Sequence, residues 1–245
     1  MSRNLFLGID VGTTGTKSAV FDGEGTLLGR GYVEYGVLSP KPGWAEQEPD
    51  VWWTSALKSA QEAIQDSRVA PAEVACVGLS GQTNGIVCLD EHGSPLRPAI
   101  IWMDRRATKE AELIREQIGY ETFHETTGVL LAPFYSICKI LWLKYNSADL
   151  LRKTKTILQP KDYIVFKLTG KRILDMSSAS SAGILNTRTR RYAEQMLHDV
   201  GIPLEKLPEL VRPSDKIGGV LPEAAARLGL TEEAVVVAGS GDVMA

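Results

Sequence analysis

Cysteine and histidine are scarce, at three residues each in 245. Cys76, Cys88 and Cys138 are an odd number at wide spacing, each among apolar neighbours. A disulfide framework is therefore excluded, and reduced, buried thiols are expected, as in a cytoplasmic protein. His92, His124 and His198 show no metal-ligand spacing with one another or with cysteine, which removes a structural zinc site. His92 falls in a predicted turn and the other two in predicted helices. No apolar run approaches the roughly 18 residues of a membrane-spanning helix. The stretch Leu5 to Ile9 is too short, and too soon broken by Asp10, to serve as a signal peptide. Neither sign of charge dominates. Twenty-seven basic against 30 acidic residues leave a net charge of −3, with no footprint for nucleic acid and no polybasic membrane patch.

Hydrophobic residues at 44% and charged residues at 23% are those of an ordinary globular domain, so collagen-like, low-complexity and disordered chains are excluded. The length suits one large domain or two small ones. There is no fixed-period repeat.

The first third reads as strands. Leu5 to Val11, Lys17 to Phe21 and Thr26 to Tyr35 are predicted strands, joined by a Gly/Thr-rich turn and by Asp22-Gly23-Glu24-Gly25, which makes an antiparallel meander. A helix is predicted from Pro49-Asp50, with Asp50 as N-cap and Trp53, Leu57, Ala60 and Ile64 on one face. Val74 to Leu79, Ile86 to Leu89 and Ala99 to Trp102 are short apolar segments, followed by a charged helix over 105–117. Helices are further predicted around Ile137 to Lys144, Tyr163 to Lys167, Tyr192 to Val200 and Pro222 to Leu228. Ser177 to Ser181 is a small polar run between them. Ala234 to Ala238 is a β-branched strand that runs into Gly239-Ser240-Gly241-Asp242, a helix entrance. Such a strand needs cover on both faces. The chain is accordingly expected to be one domain of a larger protein.

Four motifs carry chemistry. In Gly8-Ile9-Asp10-Val11-Gly12-Thr13-Thr14-Gly15-Thr16-Lys17, Gly12 and Gly15 let backbone amides approach a ligand. The threonine hydroxyls add donors and Lys17 adds a charge. Asp10, an acid inside an apolar strand, offers a carboxylate to a hydrated Mg²⁺. This is a phosphate cradle that is neither a Walker loop nor Gly-x-Gly-x-x-Gly. A plain Gly-rich hairpin is the competing reading. Ser80-Gly81-Gln82-Thr83-Asn84-Gly85 is a polar loop whose side chains donate and accept, suiting neutral hydroxyl-rich ligands; it could equally be a connection. Trp102, in Ile101-Trp102-Met103-Asp104-Arg105-Arg106, offers a flat wall for the C–H face of a sugar, or packs in the core. Asp242, after a strand, is placed for a general base, or caps a helix.

Taken in order, Asp-x-Gly-Thr-Thr-x-x-Lys, the Gly-Gln loop, Trp-x-Asp-Arg-Arg and Gly-x-Gly-Asp resemble the N-terminal domain of the FGGY family of carbohydrate kinases. So do the segment from Thr127-Gly128 through Phe134-Tyr135-Ser136, Lys139 and Trp142, and the run Asp175 to Ser180. The resemblance covers nearly the whole chain. It implies an α/β, actin-like ATPase domain of ribonuclease-H type, a mixed sheet with flanking helices, over 1–245, with the nucleotide-binding C-terminal domain absent from this chain. It also implies ATP and Mg²⁺ as cofactors and a small sugar or polyol as substrate, and it allows a homodimer. On this resemblance Asp10 holds the metal through water, and Gly12, Thr13, Thr14, Gly15 and Lys17 cradle phosphate. Gln82, Thr83, Asn84, Trp102, Asp104 and Phe134 face the sugar, and Asp242 is the catalytic base.

Family members acting on xylulose usually show Gln-Met-His-Gly where this chain has Gln82-Thr83-Asn84-Gly85. Those acting on glycerol show Arg-Glu in the middle and Tyr where Phe134 stands. A neutral ketose, with xylulose the nearest named case, is therefore expected ahead of glycerol, while Arg105 and Arg106 keep a sugar acid open. The alternative is a non-catalytic actin-like domain that binds sugar or nucleotide as a regulator, which would have no need of both Asp10 and Asp242.

Overall fold

Successive side chains at the start of the chain turn to opposite faces of one sheet. In the computed structural model, which describes residues 5–243, the first strand is β1 (Leu5–Val11). Leu5, Leu7, Ile9 and Val11 are buried on one face, while Phe6, Gly8 and Asp10 turn to the other. β2 (Gly15–Phe21) and β3 (Leu27–Glu34) follow antiparallel, so the meander forms as expected. After the short β4 (Glu46–Gln47), α1 (Pro49–Ser67) lays Trp52, Ala56, Ala60 and Ala63 on the buried face of the sheet.

Glu48, not Asp50, is the N-cap of α1, because Pro49 takes the first helical position, where its missing N–H costs nothing. Asp50 lies one residue inside the helix and accepts a hydrogen bond from Tyr163 Oη at 2.7 Å.

β5 (Val74–Gly81) lies parallel to β1, and β6 (Val87–Leu89) and β7 (Ala99–Ile100) make small side pairings. α2 (Thr108–Ile118), α3 (Tyr120–Thr127), α4 (Ser136–Asn146) and α5 (Ala148–Lys153) follow, then β8 (Thr156–Leu158), α6 (Pro160–Thr169) and β9 (Ile173–Asp175). Next come α7 (Met176–Ser181), β10 (Leu185–Asn186), β11 (Arg191–Tyr192), α8 (Glu194–Asp199), β12 (Glu209–Val211) and β13 (Lys216–Gly219). α9 (Pro222–Leu228), β14 (Val235–Val237) and β15 (Ser240–Gly241) complete the order. The charged helix α2 begins three residues later than the sequence predicts, because Arg105 and Arg106 are held by side contacts. The polar run Ser177–Ser181 is helical: Asp175 caps it by accepting from the amides of Ser177 and Ser178.

The main sheet runs β13-β14-β5-β1-β2-β3, with β15 also on β5. β1, β5, β14 and β15 are parallel, and β2, β3 and β13 make antiparallel pairings. This is the mixed ribonuclease-H-type arrangement expected of the chain. α1, α6 and α9 cover one face and form the larger core. A second core joins α2, α3, α4, α7 and α8 beside the sheet. Among the described residues the other sheet face is bare. It exposes Phe6, Leu27 and Tyr32 beneath a cleft of about 1110 Å³.

No helix of the described residues is long and apolar enough to cross a membrane. The three cysteines are unpaired, Cys76 being half-buried rather than enclosed. Among the described residues no cluster of His, Cys, Asp and Glu could hold a metal ion.

Candidate active site

The carboxyl ends of the parallel strands meet at one edge, where ligands of open α/β sheets bind. Asp10 pairs in register with Ser80, and Ser80 with Ser240, so β1, β5 and β15 bring their ends side by side. Asp10 faces the open cleft, and its Oδ1 is buried without a partner. An unsatisfied buried carboxylate oxygen is costly unless something completes it, and a cation or its hydration water fits. Lys17, on the neighbouring β2 and in register with Asp10, lines the same cleft.

The turn between β1 and β2 closes on itself through the Gly12 amide, which donates to the Gly15 carbonyl at 3.0 Å. A Cβ at Gly12 would lie 2.9 Å from that oxygen, and one at Gly15 would lie 2.7 Å from the Val33 carbonyl, so both positions require glycine. Thr14 and Lys17 are exposed at this edge. The side chains of Tyr35, Gln82 and Gln47 hold its carbonyls from outside. Gly12 O accepts from Tyr35 Oη at 2.7 Å and Gln82 Nε2 at 3.1 Å, and Thr13 O accepts from Gln47 Nε2 at 2.8 Å. Gln82 Nε2 also donates to Gln47 Oε1 at 2.9 Å. Gln47 is buried on the two-residue β4, and sequence reading missed it, because nothing local marks a residue whose partners lie up to 35 positions away.

The second polar loop follows β5. Gln82, Thr83 and Asn84 are all buried, and Asn84 takes φ 61°, a left-handed conformation that asparagine tolerates. Gln82 Oε1 and Asn84 Oδ1 have no partner. Because Gln82 Nε2 is committed to Gly12 and Gln47, the free atom of that amide is the acceptor. Both free atoms are acceptors, so each can be satisfied by a hydrogen-bond donor.

Trp102 is 40% exposed, and its Nε1 donates to Thr13 Oγ1 at 2.8 Å, so the indole is tied to the turn between β1 and β2. Phe134 stands half-buried, stacked on Tyr135 at 4.4 Å, with the Arg105 guanidinium 5.0 Å from its ring.

Asp104 does not join the wall. It is fully buried, and its oxygens hold the Ala45 amide at 2.7 Å and the Arg106 guanidinium at 2.7–2.9 Å. The acid is consumed in anchoring the loop before β4, so the sugar-facing role expected from the motif is withdrawn. Arg106 is likewise turned inward onto Glu46 and Asp104, stacked on Trp44 at 3.5 Å. Only Arg105 of that pair is left at the wall.

Asp242 sits in a turn just after β15, exposed, with its amide bonded to Gly81 O at 2.9 Å. Partial burial pushes its carboxyl above the ordinary value and the charge of Asp10 adds to this, outweighing the Val243 amide that favours the ionised form. A helix capped by Asp242 would run from Val243 into residues 244–245, which lie outside the described residues.

Two buried lysines stand behind the site. Lys139 Nζ donates to Asn84 O at 2.6 Å and Phe134 O at 2.5 Å, clamping the loop after β5 to the segment before α4. Burial pulls Lys139 down to about 7, with Asp104 and Cys138 opposing and Arg105 and Arg106 assisting. Between about pH 7 and the ordinary lysine value, the unfolded chain therefore binds a proton that the folded chain does not, so this group's contribution to stability rises with pH across that window. Burial raises Cys138 to about 12, which acts in the opposite sense above the ordinary thiol value. Lys139→Met is expected to flatten the rise between pH 7 and 9. Urea midpoints of both proteins across that range measure it, and parallel curves would remove Lys139 as the source.

Comparison with known proteins bears out the fold. The FGGY family of carbohydrate kinases, N-terminal domain, matches residues 5–245. A xylulose kinase of Lactococcus lactis is 33% identical over 96% of this chain and 47% of its own length. The crystal structure of a xylulose kinase from Rhodospirillum rubrum superposes with a TM-score of 0.93 at 26% identity, covering 98% of this chain and 49% of that one. That of a gluconate kinase from Lactobacillus acidophilus gives 0.92 at 26% identity, over 98% and 48%. The chain thus spans about half the length of the relatives it matches.

Proposed function

The chain belongs to the FGGY family of carbohydrate kinases, and from that premise we propose that the full-length protein phosphorylates a neutral ketose or polyol at the expense of ATP. In this reading residues 1–245 supply the sugar loop, the phosphate loop and the base, and a second domain outside this chain supplies the adenosine pocket. The observation that carries it is the meeting of Asp10, Asp242 and the unsatisfied acceptors of Gln82 and Asn84 around the ends of β1, β5 and β15.

Asp10 Oδ1 is the atom that would hold a hydrated Mg²⁺, which when bound neutralises phosphate charge. Lys17 and the Gly12–Gly15 turn receive phosphate oxygens. Trp102 packs on a sugar C–H face, while Gln82 Oε1 and Asn84 Oδ1 accept from its hydroxyls. Asp242 takes the proton of the hydroxyl that attacks the γ-phosphorus in line. Its raised pKa suits it to that task, because a stronger base accepts the proton more readily.

Substrate class follows from the vacant positions. Two acceptors and no cation in the loop favour hydroxyl-rich neutral compounds. The named relatives act on xylulose in two cases and gluconate in one, and xylulose is the better fit. Arg105, over Phe134, is the one group of the wall that a carboxylate could address.

Tryptophan fluorescence of the full-length protein tests the reading. A ketose is expected to change the emission, and Trp102→Phe to remove most of that change. Subsequent Mg-ATP should make the signal decay as sugar is consumed. A signal that persists unchanged with Mg-ATP present would mark a sugar-binding regulator instead.

A further inference from the structure

α6 opens with a buried charge that the reaction as described does not use. The Lys161 side chain is 2% exposed, yet Nζ reaches three acceptors: Asp162 Oδ1 at 2.6 Å, Asp175 Oδ2 at 2.9 Å and Ala238 O at 2.9 Å. Ala238 is the last residue before the turn that carries Asp242. Asp175, fully buried, caps α7 by accepting from the Ser177 and Ser178 amides at 2.9 and 3.1 Å, from Ser178 Oγ at 2.6 Å and from Ser177 Oγ. Ser177 Oγ in turn accepts from the Gly241 amide at 3.4 Å. The chain of contacts therefore leaves Lys161 in two directions and returns to the same turn, gripping it at Ala238 and at Gly241.

The same end of α6 also touches the sugar loop. Gln159 Oε1 accepts from the Asn84 amide at 3.0 Å, and Gln159 Nε2 donates to Ser178 O at 2.9 Å. Pro160 packs so closely on Gly85 that a Cβ there would stand 2.8 Å away, and Lys161 Cβ lies 3.3 Å from where one on Gly81 would be. Gln159, Pro160 and Lys161 thus form a block between the loop that would hold the sugar and the turn that would hold the base.

We propose that Lys161 and Asp175 are positioning residues for Asp242: their buried ion pair fixes the Ala238–Asp242 turn relative to the substrate loop, so that the base stands at one place against the sugar hydroxyl. The inference rests on the kinase reading for its consequence, though not for its geometry.

Stability alone does not account for such a pair. Withdrawing an ammonium and a carboxylate from water is expensive, and well-packed apolar residues of similar volume usually serve a core as well or better. Apolar residues cannot aim three hydrogen bonds at fixed points, and a general base displaced by about 1 Å loses much of its rate. The charges are matched inside the cluster. Burial pulls Lys161 down, but Asp162 and Asp175 outweigh it and hold the ammonium charged. Burial pushes Asp175 up, but Lys161 and the serines outweigh it and keep it ionised. Burial and the neighbouring Asp175 lift Asp162 to about 7 in spite of Lys161, so of the two acids Asp175 is the one the cluster holds more firmly ionised.

The test uses the full-length protein with Lys161→Met, Asp175→Asn and the double variant. Lys161→Met leaves the Asp175 charge without its partner, so a loss of folding in that single variant is anticipated. The double variant removes both charges together and is expected to regain a near-normal Tm. Positioning predicts that the double variant still shows kcat lowered about 10–100-fold, with the sugar Kd from tryptophan fluorescence within about 3-fold of wild type. A merely structural pair predicts that kcat returns with Tm, and that result would overturn the proposal. Amide hydrogen exchange at Gly241 and Asp242 is recorded on the same proteins. Exchange at least 10-fold faster in the double variant supports the tether, and unchanged exchange refutes it. This second readout separates the two ideas. Should the wild-type protein turn over no sugar, the kinase reading fails, while exchange still decides whether the pair holds the turn.

Discussion

Asp242→Asn in the full-length protein is expected to lower kcat by about 10²–10⁴-fold while leaving Tm within about 1 °C of wild type. The substitution keeps the size and the main-chain bond from the Asp242 amide to Gly81 O, and removes only the carboxylate that we propose accepts the proton. Asn also caps a helix about as well as Asp. If capping were the whole role of Asp242, Asp242→Asn would be nearly silent in both measurements, and Asp242→Ala would cost about 0.5–2 kcal/mol with little change in rate. The pH profile adds an independent sign. With the pKa of Asp242 raised by burial, the rate should fall as pH drops through that value, because the base is then protonated. The Asn variant should lose this acid limb along with its rate. Steady-state kinetics at saturating sugar and Mg-ATP, paired with thermal melts, measure both.

The second large effect concerns Gly239. It lies at φ +71°, and a Cβ there would overlap the carbonyl oxygen of Leu79 in β5. Gly239→Ala therefore faces two penalties at once. The left-handed conformation alone costs an L-residue about 1–3 kcal/mol, and the overlap forces the turn away from the strand. A chain of this size loses about 2–4 °C of Tm per kcal/mol. The amides of Ala238 and Gly239 are bonded to Asp215 O and Pro213 O, so displacement passes directly along the turn to Asp242. The expected result is a Tm several degrees lower together with a kcat loss that remains at temperatures where the variant is fully folded. A variant with normal kcat per folded molecule would show that the turn tolerates movement, and would weaken the case for a rigidly held base.

Much of this was legible in the sequence where the signal is local. β1 to β3 follow from short apolar segments separated by turns with glycine, and α9 follows from a proline start and a glycine stop. The helix α7 was not legible. Five residues of serine and alanine have no apolar periodicity, and the helix exists because Asp175 caps it from inside the core. Asp50 was misassigned as a cap because the rule that favours Asp there does not weigh Pro49, which claims the first helical position. Trp102 and Thr13 appeared as separate motifs, and only the fold bonds one to the other. Asp104 matched a motif while its carboxylate serves Ala45 and Arg106, since a motif names a residue and not the direction it faces. Gln47, Gln159 and Lys161 gave no signal. Their partners lie between 1 and 77 positions away, and the most distant of them, Ala238, is reached only through tertiary contact.

Transfer of phosphoryl groups to sugar is the centre of this account, and product formation measures it most directly. The full-length protein is incubated with Mg-ATP and, one at a time, a series of pentuloses, polyols and sugar acids, and ADP release and sugar phosphate are quantified together. The account predicts stoichiometric ADP and sugar phosphate with a neutral ketose or polyol, at rates of ordinary enzymes, about 1–10³ s⁻¹, and slower turnover with acids. Full-length protein that binds these sugars yet releases no sugar phosphate from any of them would contradict it.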